Sequence, residues 1–264
     1  MQLAFTKYQG TGNDFIMIDD RDRIFPNDTA LVSRLCDRKM GIGADGLILI
    51  RHHETLDFEM VYFNADGSQS MCGNGSRCAV NFANTLGLVK NNPTHFLSTD
   101  GPHMAFLTDQ EHVELQLADV TSVTKYQNDD LFIDTGSPHH IRFVENVKDF
   151  DVYGEGKAIR EDAERYPNGT NVNFVEIIHD DRIYVRTFER GVENETLSCG
   201  TGVTAASLAA GMRASDGDTA NKTIRIETLG GSLQVRYENS AADNFQNVFL
   251  IGPAEKVFEG QIEI

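Results

Sequence analysis

Met71-Cys72-Gly73-Asn74-Gly75 in the front half of the chain and Ser198-Cys199-Gly200-Thr201-Gly202 in the back half share one pattern: a cysteine, a glycine, a polar residue and a second glycine. Two further pairs of marks precede them in the same order. Thr11-Gly12-Asn13-Asp14-Phe15-Ile16 matches Thr135-Gly136-Ser137-Pro138-His139-His140-Ile141, and the run from Asp57 to Tyr62-Phe63-Asn64-Ala65-Asp66-Gly67 matches Ile183 to Phe188-Glu189-Arg190-Gly191. Gly12 and Gly136 stand 124 positions apart, as do Gly67 and Gly191, while the cysteines stand 127 apart. Three marks in constant order at a nearly constant offset indicate two diverged copies of one unit.

Local patterning fits two such units. Period-two alternation predicts strands at His112–Leu117, Ile183–Phe188, Ile224–Leu229, Ser232–Tyr237 and Val248–Ile251, and brief turns such as Gly230-Gly231 suggest antiparallel hairpins. After Cys72, the residues Gly75, Cys78, Ala79, Phe82, Ala83 and Leu86 form the stripe of an amphipathic helix stopping at Gly87. After Cys199, the run Val203 to Ala210 is small and apolar nearly all round, as a helix enclosed by sheet requires, with Gly211 expected to end it. Both cysteines therefore fall at helix N-termini. The expected fold is α+β, with two pseudo-symmetric domains, 1–120 and 121–264, each an antiparallel β-sheet wrapped around a central α-helix. The C-terminal tail is free to pack back on the first domain.

Composition narrows the class. The net charge of −17 lacks the clustered cations that nucleic acid or an anionic membrane requires. The longest aliphatic run, Leu47–Ile50, is far short of a membrane span, and the first residues lack a signal-peptide core, so a soluble cytoplasmic protein is expected. Four cysteines in 264 residues are too few for a disulfide scaffold.

A thiol at a helix N-terminus is stabilised as thiolate by the dipole and the first N–H groups, and the same groups can hold a carboxylate. If the two copies face each other about a pseudo-twofold axis, a small acid between the helix ends has one sulfur on each side of its Cα. One cysteine then acts as base and the other as acid. Zinc prefers cysteines two to four positions apart, whereas Cys72 and Cys78 are six apart, so no metal is expected. A Cys/His hydrolase leaves the second cysteine without a role. A structural pair of buried thiols is the remaining alternative, and Cys36 and Cys78 are assigned to packing. Gly41-Ile42-Gly43-Ala44-Asp45-Gly46 matches a dinucleotide fingerprint, but a helical segment (29–40) precedes it and a strand follows, the reverse of the required order. It reads as a helix-to-strand turn. His52 and His53 read as surface residues, and no lysine stands out for a pyridoxal cofactor.

These motifs, together with Asn171-Val172-Asn173-Phe174 and Glu195-Thr196, resemble the diaminopimelate epimerase family over most of the chain. The resemblance implies a cofactor-independent isomerase that interconverts LL- and meso-diaminopimelate for lysine and peptidoglycan synthesis, acting as a homodimer. It implies Cys72 and Cys199 as the acid/base pair, with Gly73, Asn74, Gly200 and Thr201 around the reacting carboxylate. His139 and Glu189 are implied beside that centre, and Asn13, Asn64, Asn171 and Arg190 at the other polar groups of the substrate. Ser137 and Gly46 depart from residues common in the family. A proline or hydroxyproline racemase-type enzyme, or a non-catalytic amino-acid-binding protein, are the alternatives.

Overall fold

The computed structural model describes residues 1–26, 28–108, 112–214, 221–241 and 243–264. They form two compact units, one comprising Met1–Leu115 with Gly252–Ile264 and the other Gln116–Ile251.

In the first unit, β1 (Gln2–Gly10) and β2 (Asn13–Asp19) make an antiparallel hairpin. The chain crosses through α1 (Thr29–Cys36) to β3 (Gly46–Arg51), parallel to β2, and returns antiparallel as β4 (Phe58–Asn64). Helix α2 (Gly73–Thr85) then leads to β5 (Thr94–Ser98), parallel to β4, after which β6 (Gly101–Leu107) and β7 (His112–Gln116) run antiparallel. The second unit repeats the plan. It begins with β8 (Thr124–Lys125) and the antiparallel pair β9 (Leu131–Asp134) and β10 (Pro138–Phe143). Helix α3 (Val152–Arg160) leads to β11 (Asn171–His179), parallel to β10, and β12 (Arg182–Glu189) returns antiparallel. Past β13 (Asn194–Thr196), helix α4 (Gly200–Ala214) leads to β14 (Asn221–Thr228), parallel to β12. Antiparallel β15 (Gly231–Ala241) and β16 (Asn244–Pro253) follow, and β17 (Glu255–Glu263) is the last element. The copies exchange one strand each. β8 follows β7 but pairs with β9, whereas β17 follows β16 but pairs with β1.

The architecture is the two-unit α+β fold, with one correction to the sheets, which are mixed. Each copy contains two parallel pairs, β2 with β3 and β4 with β5 in the first, β10 with β11 and β12 with β14 in the second. A helix crosses between the partners of every such pair, as parallel neighbours require. Turn residues announce only hairpins, so the parallel partners left no local mark.

Both central helices are enclosed. α2 is buried from Gly73 through Ala83, including the side its sequence makes polar. Those polar groups find partners in the surrounding sheet and its connections: Asn81 Nδ2 donates to the Ala254 carbonyl, between β16 and β17, at 2.6 Å and Ser76 Oγ to Met60 Sδ on β4 at 3.7 Å. The amphipathic stripe is thus only part of its packed surface. In α4, Val203, Ala205, Ala206, Leu208 and Ala209 are fully buried, and the hydroxyls of Thr204 and Ser207 donate back to the carbonyls of Gly200 and Val203. α4 continues through Gly211 rather than ending there. A Cβ at 211 would collide with the Tyr237 hydroxyl, so the glycine serves close approach of β15. α1 stops at Cys36, short of the expected 40. Asp37 leaves the helix with ψ 125°, and its carboxylate takes the N–H groups of Lys39 and Met40, both at 2.7 Å. Among the described residues, no helix is long and apolar enough to cross a membrane.

Candidate active site

Cys72 caps α2. Its backbone is extended (φ −138°, ψ 113°), its carbonyl accepts the Ser76 N–H at 2.8 Å, and its sulfur lies 3.4 Å from the Gly75 nitrogen. The sulfur is also 3.6 Å from Asn13 Oδ1, which lies 3.4 Å from Asn74 Nδ2. Asn13 is oriented from its other end, where Nδ2 donates to Asp45 Oδ2 at 2.7 Å. Asp45 belongs to the glycine-rich turn between α1 and β3, so that turn positions a residue of the site. Two cations balance the carboxylates there. Asp14 pairs with Lys7 at 2.8 Å and with Arg38 at 2.7 Å, and Arg38 also reaches Asp45 at 2.7 Å. Burial raises the Asp14 pKa, but the hydrogen bonds from Arg38 and Lys7 more than reverse this and leave it at about 2.

Cys199 occupies the matching place in the second unit. Its carbonyl accepts the Val203 N–H at 2.9 Å, the first turn of α4. Its sulfur is 3.6 Å from Thr201 Oγ1, and that hydroxyl is 2.9 Å from His139 Nε2. His139 is fully buried on β10. Desolvation, assisted by the Arg190 charge, lowers its pKa to about 3, so the ring is neutral at physiological pH. Asn173 lies behind it, 3.1 Å from Nδ1.

The remaining expected residues have other close partners. Asn171 Nδ2 donates to the Pro138 carbonyl at 3.1 Å and its Oδ1 accepts the Arg190 N–H at 2.9 Å, linking the strand that bears His139 to the segment that bears Arg190. Arg190 donates to the Asn168 carbonyl at 3.0 Å, and Glu189 accepts from the Thr196 hydroxyl at 3.0 Å. Asn64 organises the turn after β4: Tyr62 donates to its Oδ1 at 3.0 Å, while its Nδ2 donates to Ser68 Oγ at 3.0 Å and Ser70 Oγ at 3.2 Å. The structure therefore groups Cys72 with Asn13 and Asn74, and Cys199 with Thr201 and His139. Gly73 and Gly200 open the first turns of their helices. Asn173, Asp45 and Arg77, whose Nη1 donates to Asn74 Oδ1 at 3.0 Å, join these groups without having been singled out from sequence. Only Asn173 had a signal, since it shares a strand face with Asn171 two positions away.

Cys36 and Cys78 are packed inside helices, and burial pushes both thiols up to about 12.

Known proteins resemble this chain in sequence and in fold. The sequence model described as diaminopimelate epimerase matches residues 5–123 and 131–257. The chain is 50% identical to the diaminopimelate epimerase of Flavobacterium psychrophilum, across 98% of this chain and 100% of that one. It is 42% identical to that of Chlorobaculum tepidum, across 97% and 99%. Solved structures share the fold at low identity. A PhzF-family phenazine biosynthesis protein from Bacillus anthracis superposes with a TM-score of 0.78 at 14% identity, covering 100% of both chains. A hydroxyproline epimerase from Agrobacterium vitis gives 0.67 at 14% identity, over 99% and 92%. With a family match over most of the chain and half its residues shared with a relative matched over its whole length, this chain belongs to the diaminopimelate epimerase family of isomerases.

Proposed function

We propose that the chain interconverts LL- and meso-diaminopimelate without a cofactor, with Cys72 and Cys199 as its acid/base pair. The observation that carries this reading is the matched setting of the two sulfurs. Each cysteine carbonyl accepts the first hydrogen bond of its unit's central helix, and each sulfur lies 3.6 Å from a polar side-chain oxygen, Asn13 Oδ1 or Thr201 Oγ1.

The Cα proton of an amino acid is weakly acidic, and its loss is eased when the neighbouring carboxylate meets N–H groups aimed at the charge that develops on it. The first-turn N–H groups of Gly73, Asn74, Gly200 and Thr201 suit that task. One cysteine, as thiolate, takes the proton while the C–H electron pair moves into the carboxylate as an enediolate. The other, as thiol, returns a proton to the opposite face, and the carbon inverts. In the reverse direction the roles exchange. His139 and Glu189 lie beside the reacting centre, Glu189 orienting the substrate amino group and His139 tuning the Cys199 thiol through Thr201, while Asn13, Asn64, Asn171 and Arg190 meet the substrate's other polar groups, with Arg190 suited to a carboxylate. Residence in the cytoplasm and assembly as a homodimer belong to the same reading.

Cys72→Ala and Cys199→Ala should each abolish turnover, and substrate Cα–H exchange in D2O should require both thiols. Near-normal epimerisation by either variant overturns the mechanism. Calorimetric binding of diaminopimelate without deuterium incorporation identifies a capture protein instead, and turnover of proline in its place identifies a racemase of cyclic imino acids.

A further inference from the structure

Arg77 lies one turn into α2 with its side chain fully buried, and among the described residues no carboxylate pairs with it. Its three nitrogens meet only neutral oxygens: Nη1 donates to Asn74 Oδ1 at 3.0 Å, Nη2 to Thr11 Oγ1 at 3.4 Å, and Nε to the Pro253 carbonyl at 3.4 Å. The space is shaped for the guanidinium. A Cβ on Gly10 would come within 3.3 Å of Nη2. A buried cation without a counter-ion is costly, and a chain that keeps one has an anion for it to face.

We infer that Arg77 is a positioning residue for Cys72, holding Asn74 beside the sulfur and supplying the positive charge that favours the thiolate. This rests on the acid/base reading of Cys72 given above. On the far side of Asn13, Asp14 and Asp45 are matched by Lys7 and Arg38, and Glu255 on β17 is exposed to solvent. Arg77 places a buried positive charge behind the helix end, within electrostatic reach of Cys72. Burial lowers the Arg77 pKa to about 10, opposed by the thiols of Cys78 and Cys72, so it remains protonated at neutral pH. Cys78 does not supply the anion, since burial holds its own thiol at about 12. The second copy lacks the device: five positions after Cys199 stands Thr204, whose hydroxyl is bound within α4. The two thiols thus have different means of tuning, a guanidinium for one and a neutral imidazole and hydroxyl for the other.

The test reads Cys72 alone, in a Cys199→Ser background, as the pH dependence of iodoacetamide alkylation located by peptide mass spectrometry. Arg77→Met and Arg77→Gln should raise the midpoint by about one pH unit, a tenfold loss of thiolate below it. Arg77→Lys should restore most of it. Using two neutral variants covers the case in which one does not fold. A midpoint unchanged in the folded neutral variant overturns the inference, even if the melting temperature falls, because a purely structural arginine gives that result. The readout needs no turnover, so it stands apart from the Cys72→Ala and Cys199→Ala activity assays that judge the acid/base reading itself.

Discussion

Asn173 fixes the tautomer of His139. The Asn173 Nδ2 stands 3.1 Å from His139 Nδ1 and 3.1 Å from the His140 carbonyl, while its Oδ1 accepts from Thr187 Oγ1 at 3.0 Å. A carbonyl can only accept, so the amide nitrogen must face both groups and Nδ1 is an acceptor. The proton of the neutral ring therefore sits on Nε2 and points at Thr201 Oγ1, which is free to turn its own hydrogen toward Cys199.

This arrangement predicts that the His139 ring nitrogens, followed by 15N NMR, show a neutral Nε2–H imidazole that does not titrate between pH 5 and 8. Asn173→Leu strands the imidazole and the Thr187 hydroxyl and should lower stability by about 1–3 kcal/mol. Thr201→Val cuts the link to the sulfur and should slow turnover about tenfold or more, with Thr201→Ser recovering most of it. A Thr201→Val enzyme of normal rate would show that the hydroxyl has no part in the reaction.

Asp14 makes stability depend on acid. Its folded pKa of about 2 lies below the unfolded value of 3.8, so its contribution is complete above about pH 4 and is lost as pH falls toward 2. His139 adds a loss in the same direction but higher in pH. With a folded pKa of about 3 against 6.5 unfolded, only the unfolded chain takes up its proton between those limits. Urea midpoints measured from pH 7 to 3 should fall steadily, and Asp14→Asn should flatten the segment below pH 4.

Gly211→Ala should destabilise the second unit by about 1–3 kcal/mol, because the added methyl meets the Tyr237 hydroxyl inside a packed core. Tyr237→Phe removes that oxygen and leaves the ring carbon Cζ, 3.0 Å from the same methyl, as the nearest atom. The double variant should therefore regain part of the loss. Thermal melts of the two single variants and the double variant measure this coupling, and strict additivity would contradict it.

Native alkylation should separate the four cysteines into pairs. With burial raising both Cys36 and Cys78 to about 12, brief iodoacetamide treatment at pH 8 should modify Cys72 and Cys199 only, and unfolding in urea should expose the other two. Intact-mass spectrometry counts the adducts.

How much of this could be read beforehand followed from how local each signal is. The repeat, the strands of alternating residues and the α2 terminus at Leu86-Gly87 carry their own marks, and the glycine run between α1 and β3 was legible as a turn from its order alone. Its Asp45 was not legible as a support for Asn13, because the hydrogen bond joins residues 32 positions apart. Arg77 was hidden for a different reason. On a helix an arginine off the apolar stripe reads as solvent-facing, and only the sheet closing round α2, with Thr11 from the β1–β2 turn and Pro253 from the end of β16, turns that face inward. The parallel pairs were silent because their partners are separated by a whole helix.

The exchange of β8 and β17 sets an order of assembly on the ribosome. The second unit is contiguous in sequence and can close as soon as it has emerged, whereas β1, though made well before the second unit, must wait for β17 to cover its free edge. Until then an exposed row of strand amides is left in the nascent protein, a place where a chaperone or a neighbouring nascent copy finds a template.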